Sequence, residues 1–166
     1  MMAADGWYIY NGREVVPRNV TRVRIDESLT VIPTNAFEGN GNIEELECHD
    51  RVKTVEERAF ANCPSLTRVI MPGAGVVEND AFRYCKALAD VDFDKLEIIG
   101  RSAFAFSTSL RSINLPSAKI VKEDAFNYCK ALTDVEFGKE LESIEDGAFY
   151  RCYFLERITI PLKDGM

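Results

Sequence analysis

The cysteines are the residues of this chain whose type and spacing most suggest chemistry. Four of the five, Cys63, Cys85, Cys129 and Cys152, follow one another at intervals of 22, 44 and 23 residues. Regularly spaced cysteines can form disulfides or bind a metal such as zinc. Both outcomes depend on how the chain brings the thiols together, so the elements that carry the cysteines must be identified first.

Each of these cysteines lies three residues after the phenylalanine of an Ala-Phe pair that recurs every 22 or 23 residues. Counted from that phenylalanine as position 0, apolar residues recur at positions −5, +6, +9 and +11. Apolar and polar residues alternate from +8 to +11, which is typical of a half-buried β-strand. The pattern indicates a solenoid of short stacked repeats, built around Phe37, Phe60, Phe82, Phe104, Phe126 and Phe149.

Stacking argues against both disulfides and metal binding for the cysteines. One short repeat cannot bury its own apolar face, so repeats stack and their strands pair in parallel. Equivalent side chains then form a row at ~4.8 Å, whereas a disulfide needs Cβ atoms ~3.8 Å apart and zinc needs converging ligands. We therefore predict buried, reduced thiols, no metal site and no cofactor. Replacing Cys85 by serine should bury a hydroxyl without a partner, at a cost of about 1–3 kcal/mol.

No other residues form a recognisable catalytic site. His49 is the only histidine, and no motif ties it to a nucleophile or a carboxylate. The chain also lacks a phosphate-binding loop, a dinucleotide fingerprint, an HExxH motif and a nucleophile elbow. The sequence predicts a protein that is not an enzyme, with enzymatic activity as the second hypothesis.

The overall charge restricts the class of partner. A net charge of −7 argues against sequence-independent nucleic-acid binding and against adsorption to an anionic membrane. No apolar run approaches the ~20 residues of a membrane-spanning helix. Residues 1–12 lack the basic and apolar regions of a signal peptide, so we expect a cytoplasmic protein.

The repeat pattern predicts a right-handed α/β solenoid that is rich in β-structure. One partial and six complete repeats should form a parallel sheet of about seven strands. Val23 and Ile25 continue the apolar columns upstream, which places the partial repeat's strand at residues 21–25. Acidic and polar residues before the Ala-Phe pairs, such as Asp80, suit short helical or 3₁₀ turns on the opposite side.

The solenoid is predicted over residues 21–166, with residues 1–20 as an N-terminal cap. Apolar and aromatic residues at 7–10 precede Asn11-Gly12, a strong turn signal, and predict a small hairpin. The alternative is that Trp7 and the neighbouring tyrosines form a ligand platform.

The segment Ala59–Pro72 reads AFANCPSLTRVIMP and resembles the BspA-type leucine-rich repeat. The resemblance covers roughly residues 20–162 and implies a leucine-rich-repeat fold with a role in binding or adhesion. The chain departs from the pattern at Ser107, where cysteine is expected, and at Asn40 and Gly41. The function implied is a protein-protein interaction module. The alternative is a structural or adhesive fragment of a longer cell-surface receptor or adhesin.

The resemblance makes the outward side of the strands the expected binding surface. At positions +8 and +10, like charges are never neighbours, and avoidance of repulsion between strands explains this alternation. The excess of carboxylates has no such explanation and favours a basic protein partner. The candidate partner-binding residues are Glu47, Arg68, Ile70, Asp90, Asp92, Asn114, Asp134 and Glu136.

Two further surfaces are notable. Tyr84, Phe106 and Tyr128 recur at +2 and predict an aromatic packing ladder, with a binding stripe as the alternative. After the last predicted strand, residues 157–160, too little chain remains to cover Ile158. Because an open end exposes a strand edge, we expect end-to-end self-association or a longer parent chain.

Overall fold

The computed structural model describes residues 1–162 of the chain. Residues 163–166, the end of the predicted solenoid, lie outside the described residues. Numbered β1 to β14 in chain order, the strands alternate between the two sides of the coil. The longer strands are β1 (Tyr8–Tyr10), β2 (Arg22–Ile25), β4 (Glu45–Glu47), β6 (Arg68–Ile70), β8 (Asp90–Asp92), β10 (Ser112–Leu115), β12 (Asp134–Phe137) and β14 (Arg157–Thr159).

The shorter strands all have two residues and contain the apolar column at −5. They are β3 (Val31–Ile32), β5 (Thr54–Val55), β7 (Val76–Val77), β9 (Ile98–Ile99), β11 (Ile120–Val121) and β13 (Ser143–Ile144). These six strands form one continuous parallel sheet. The predicted parallel solenoid is therefore confirmed, and it has a second sheet that the sequence reading described only as a column of buried aliphatic residues.

The long strands differ from the predicted single sheet of about seven strands. Eight long strands form two parallel sheets, with the orders β1-β2-β4-β6-β8 and β10-β12-β14. Within each sheet, equivalent residues of neighbouring repeats are in register, as Leu46 is with Val69. Between β8 and β10, by contrast, the described chain forms no strand pairing.

The core lies between the long-strand and short-strand sides and is built from the predicted columns. Val69 at +9 and Met71 at +11 are fully buried, whereas Arg68 is exposed. The repeated phenylalanines stack through all six repeats, with ring centroids 4.8–5.3 Å apart and ring planes within 5° of parallel. This stack holds the repeats at a common spacing.

The turns that carry the Ala-Phe pairs are not helical, so this part of the prediction is wrong. Positions −2 and +2 adopt left-handed backbone, with φ of 56° at Asp80 and 60° at Tyr84. The Phe82 N–H donates to the Ala103 carbonyl of the next repeat at 2.7 Å, while Arg83 closes a local turn onto Asp80. A helix needs consecutive right-handed residues that bond within the segment. Here alternate amides instead bond the repeats to one another.

The N-terminal segment is an additional parallel strand, and the predicted hairpin around Asn11-Gly12 is wrong. Strand β1 pairs in parallel with β2, so that Tyr8 lies beside Val23. The free edge of β2 offers a full set of backbone partners, and pairing with it satisfies the amides of β1. The Tyr10 ring packs on Phe37 at a centroid distance of 4.6 Å, which continues the aromatic core to this end.

The C-terminal end of the solenoid is open in the described part of the chain. Ile158 on β14 is 41% exposed and Ile160 is 51% exposed, although the equivalent residues of inner repeats are buried, apart from the partly buried Val91. Phe149 is partly buried against the core. Residues 1–162 contain no helix long and apolar enough to cross a membrane.

Candidate protein-binding surface

The outward side chains of the long strands form the surface that we call the strand face. The alternation of each strand places +9 and +11 in the core and +8 and +10 on this face. The predicted residues fall into two groups, because the long strands form two sheets. One group lies on β4, β6 and β8 and the other on β10 and β12. The first contains Glu47, Arg68, Ile70, Asp90 and Asp92, and the second contains Asn114, Asp134 and Glu136.

Cross-strand ion pairs neutralise part of the strand face. Arg68 Nε lies 3.1 Å from Asp90 Oδ2, and Arg157 Nε lies 3.5 Å from Asp134 Oδ1. Glu47 is likewise paired with an arginine of β2, at 3.2 Å. Exposed pairs of this kind stabilise by only about 0–1 kcal/mol. They nevertheless show why opposite charges alternate along the +8 column.

Three carboxylates of the strand face form no ion pair within residues 1–162, namely Glu45, Asp92 and Glu136. Glu45 lies in register between two arginines, whereas Asp92 and Glu136 have only uncharged residues beside them on the paired strands. Burial raises the pKa of Asp92, and the nearby charges of Asp94 and Asp90 raise it further, while the charge of Arg68 partly opposes them. The neighbour of Asp92 on β6 is Ile70, a half-buried apolar side chain. The centre of the face therefore offers uncompensated negative charge beside apolar surface.

A shallow cavity of about 210 Å³ lies on the part of the strand face formed by β10 and β12. It is lined by Ser112, Ile113, Asn114, Asp134 and Glu136. Three predicted residues thus surround one concave site. The lining offers hydrogen-bond acceptors and negative charge, which suit lysine, arginine or backbone N–H groups of a partner.

The cysteine column lies in the core, with its thiols free. Cys63, Cys85 and Cys129 are fully buried, and Cys152 is partly exposed. Each thiol donates to the carbonyl of a phenylalanine one repeat earlier, at 3.1 Å. Burial raises the pKa of Cys63 to about 12. Within residues 1–162, no group of three or more histidine, cysteine or acidic side chains is arranged to hold a metal.

Ser107 occupies the cysteine position of its repeat and corrects one expectation. Its hydroxyl is fully buried and donates to the Phe82 carbonyl at 3.3 Å. The expectation that serine in place of Cys85 would lack a partner is therefore wrong. Both residue types satisfy the same backbone carbonyl at this position.

A profile of the family described as "BspA type Leucine rich repeat region (6 copies)" matches residues 17–130 and 75–164. The chain belongs to this family. The match includes every complete repeat built on an Ala-Phe pair. Stacked repeats of this kind present extended binding surfaces, so the coarse functional class that the family indicates is a repeat-based protein-interaction scaffold.

Solved structures of leucine-rich repeat proteins share this fold. A leucine-rich repeat protein from Bacteroides ovatus has 28% identity and a TM-score of 0.78, over 84% of this chain and 37% of that chain. The T. pallidum leucine-rich repeat protein has 24% identity and a TM-score of 0.79, over 95% of this chain and 78% of that chain. A leucine rich cell surface protein from Faecalibacterium prausnitzii has 18% identity and a TM-score of 0.50, over 87% of this chain and 61% of that chain. No curated protein sequence matches the chain.

In this BspA-type solenoid, Trp7 does not offer an open platform. Its side chain is only 4% exposed. The guanidinium carbons of Arg22 and Arg24 lie 4.4 and 4.8 Å from the centroid of its ring. The tyrosines Tyr8 and Tyr10 are also buried. The aromatic cluster therefore closes the N-terminal end of the core.

The aromatic row on the turns is a stacked ladder of half-buried rings. Tyr84 lies 4.6 Å from Phe106, and Phe106 lies 5.0 Å from Tyr128, between ring centroids. The Arg83 guanidinium lies 5.0 Å from the Tyr84 ring, and the Lys130 ammonium lies 4.4 Å from the Tyr128 ring. The rings bind one another and nearby cations, as expected for a packing ladder.

One concave feature of the family fold was missed by the sequence reading. A cavity of about 450 Å³ lies beside the first complete repeat and is lined by Val15, Val16, Arg18 and residues 36–42. The signal that could have located it was the departure from the repeat pattern at Asn40 and Gly41. Instead of filling the core, the Asn40 side chain accepts hydrogen bonds from the backbone two and three residues later.

Proposed function

We propose that this chain is a non-enzymatic protein-interaction module that binds its partner through the strand face. The observation that carries the proposal is the pair of carboxylates without an arginine beside them, Asp92 on β8 and Glu136 on β12, the long strands on either side of β10. Structural needs explain the ion-paired residues of the face. They do not explain isolated negative charges, which are favourable only when a partner or solvent balances them.

The proposed partner is a protein with a basic surface. The outward positions at +8 and +10, from β2 to β14, contain six carboxylates and four arginines. Three long strands, β4, β8 and β12, each present two carboxylates outward. The strands on both sides of β4 carry arginines, whereas β8 and β12 lie next to the uncharged β10 and the cavity of the strand face. Such a surface attracts a basic protein over a distance of about one Debye length, ~8 Å at physiological salt, and weakens as salt is added.

Affinity capture with charge-reversed variants tests this proposal. The chain carrying Asp92→Lys and Glu136→Lys should lose most of the partner that the unmodified chain captures, and the remaining binding should depend less on salt. The matched control carries Glu57→Lys and Glu140→Lys, two exposed residues outside the strand face. The control changes the net charge equally and should retain binding.

The result that contradicts the proposal is equally specific. If both doubly reversed chains capture the partner, the strand face is not the binding surface. If Tyr84→Ala and Tyr128→Ala abolish capture instead, the aromatic ladder is the site.

A second candidate function, end-to-end association, is favoured by the open C-terminal end. Large apolar side chains are exposed there, and the edge of β14 has no strand beside it in the described chain. A second copy can cover this end, because the same exposed edge and apolar patch occur on both molecules. The exposed apolar residues are Ile144, Tyr150, Tyr153, Phe154, Ile158, Ile160 and Leu162.

Analytical ultracentrifugation of the chain at micromolar concentration tests end-to-end association. We expect a dimer that dissociates on Ile158→Lys, because a buried, unpaired ammonium opposes association. The matched control, Val15→Lys, alters a residue that is 95% exposed at the other end of the solenoid, and it should leave the dimer intact. A monomer at all concentrations contradicts this proposal.

The alternative role, as part of a longer adhesin or receptor, is suggested by a structural relative that is much longer than this chain. This chain covers 37% of the Bacteroides ovatus protein. In a longer solenoid, further repeats would cover the apolar C-terminal end in place of a second copy. Extending the chain by its native downstream sequence would then abolish dimerisation without changing capture by the strand face.

A further inference from the structure

The long-strand side of the solenoid is interrupted once, between β8 and β10. All other consecutive long strands are paired in register, from β1–β2 to β12–β14. The short-strand sheet remains continuous across the same repeats, because β9 pairs with both β7 and β11. The core stack is also continuous, with Phe82 and Phe104 5.2 Å apart. The interruption is therefore confined to the strand face.

Backbone hydrogen bonds at the start of each long strand locate the interruption. In the neighbouring junctions, the N–H at +7 donates to the carbonyl at +7 of the preceding repeat. The Ala89 N–H donates to Thr67 O at 3.0 Å, and the Thr133 N–H donates to Arg111 O at 2.8 Å. Between these two junctions, within the described chain, Arg111 does not donate to Ala89.

A backbone hydrogen bond between the repeats is also missing at the end of β8. In the preceding junction the Met71 N–H donates to Asp92 O at 2.9 Å. The equivalent bond, from Phe93 to Asn114, is not formed in the described chain. Two strand edges with unpaired backbone groups thus face each other across a gap, and such edges are templates for pairing with another strand.

The side chains beside the gap specify what would fill it. Val91 of β8 points toward the core but is half-exposed, whereas Ile113 of β10 is only 4% exposed. On the outward side, Asp92 lacks a cationic partner, and Asn114 across the gap is neutral. The rim is therefore acidic, and the layer beneath it is apolar.

We propose that the gap between β8 and β10 is a docking site for an extended segment of a basic protein, which adds as a strand between them. Backbone groups of the segment pair with the two free edges. Because strand side chains alternate, a central apolar residue faces Val91 and Ile113 while its neighbours face outward. A lysine or arginine at an outward position lies next to Asp92. This inference rests on the proposed function and names the part of the basic partner that is recognised.

Hydrogen exchange of the free protein gives the first test. The Arg111 and Phe93 amides should exchange rapidly, while the equivalent amides of Thr133 and Met71, which are hydrogen-bonded, should be protected. Equal protection of Arg111 and Thr133 in the free protein would show that the gap is closed, and it would overturn the proposal.

Peptide binding gives the second test. The probe is a short synthetic peptide in which lysine and valine alternate. At a concentration ten times its Kd it should slow exchange of the Arg111 and Phe93 amides by about tenfold. A peptide with the same side chains but N-methylated at alternate residues lacks half of the backbone donors and should not bind. Equal binding of both peptides would overturn strand addition.

Protein variants separate this proposal from the proposed function. Asp92→Asn should weaken binding of the lysine-valine peptide severalfold. Glu136→Gln, one strand beyond the gap, should weaken it less, although both residues contribute to capture of the whole partner. The matched control Glu57→Gln, at an exposed residue outside the strand face, should leave peptide binding unchanged. Capture that depends on both carboxylates, together with no slowing of the Arg111 amide by the peptide, would refute the gap and retain the strand face. If the peptide slows exchange of the Arg111 amide but capture does not depend on either carboxylate, the gap is retained as a binding site and the proposed role of the charged strand face is refuted.

Discussion

Replacement of Cys85 tests the hydrogen bonding that links one repeat to the next. The Cys85 side chain is fully buried, and its thiol donates to the Phe60 carbonyl at 3.1 Å. Ser107 shows that a hydroxyl in the same position makes the same bond, at 3.3 Å. We expect Cys85→Ser to retain the bond and Cys85→Ala to remove it.

The two variants should differ clearly in stability. Cys85→Ala leaves the buried Phe60 carbonyl without its partner, which costs about 1–3 kcal/mol. It also removes an atom from a packed core, which adds about 1 kcal/mol. Cys85→Ser loses only part of the packing contribution, about 1 kcal/mol or less. The alanine variant should therefore be the less stable of the two by about 1–3 kcal/mol.

Urea and thermal unfolding followed by circular dichroism measure this difference. For a chain of this size, each kcal/mol lowers Tm by about 2–4 °C. The reciprocal variant, Ser107→Cys, is the control and should be neutral or slightly stabilising. If Cys85→Ser and Cys85→Ala lose equal stability, the hydrogen bond to the carbonyl contributes nothing and the reasoning is refuted.

Three further predictions follow from the packing of the repeats. Gly138→Ala should destabilise the chain by more than about 2 kcal/mol, the cost of severe overpacking, because the added Cβ would lie 1.8 Å from the Pro116 carbonyl oxygen. The control Gly41→Ala should be neutral in urea unfolding, because no atom lies within 4 Å of its added Cβ. Phe104→Leu, between two stacked rings, should cost about 1–3 kcal/mol and Phe149→Leu, with one, about half as much. Burial raises the pKa of Cys63 to about 12. Above pH ~8.5 the thiol therefore ionises more readily in the unfolded chain than in the folded one, and the free energy of unfolding should fall by about 1.4 kcal/mol per pH unit. Cys63→Ser should make this decline shallower, and an unchanged slope would contradict it.

The core and the repeat could be predicted from the sequence because their signals are local and periodic. Residues such as Val69 and Met71 alternate with exposed neighbours, and only one strand orientation buries them all. Repetition in six registers reinforces each column. The same alternation identifies the outward positions +8 and +10 of the strand face, because they lie between the buried positions +9 and +11.

The turns could not be predicted in this way. Tyr84, Phe106 and Tyr128 adopt left-handed backbone with φ of 60–63°, which bulky residues rarely do. Hydrogen bonds between repeats impose this conformation, and residue type does not reveal them. Strand β1 was missed for a related reason, because the turn signal at Asn11-Gly12 is local whereas the edge of β2 is supplied by the fold.

The detailed arrangement of the candidate site was also beyond the sequence. The columns place Asp90 and Asp92 on the same strand, but only the structure shows that Arg68 forms an ion pair with Asp90 and none with Asp92. The gap between β8 and β10 is seen only in the strand pairing of the folded chain. The outward residues Ser112 and Asn114 on its far side are ordinary strand residues and carry no signal of it.

Hydrogen–deuterium exchange on the purified complex of this chain with its captured partner tests the central claim most directly. If the strand face is the binding surface, exchange should slow in residues 90–93 and 111–115, and in β12 around Glu136. The turns that carry the aromatic ladder should exchange as they do in the free chain. Protection confined to those turns, or to the apolar C-terminal end, would contradict the account.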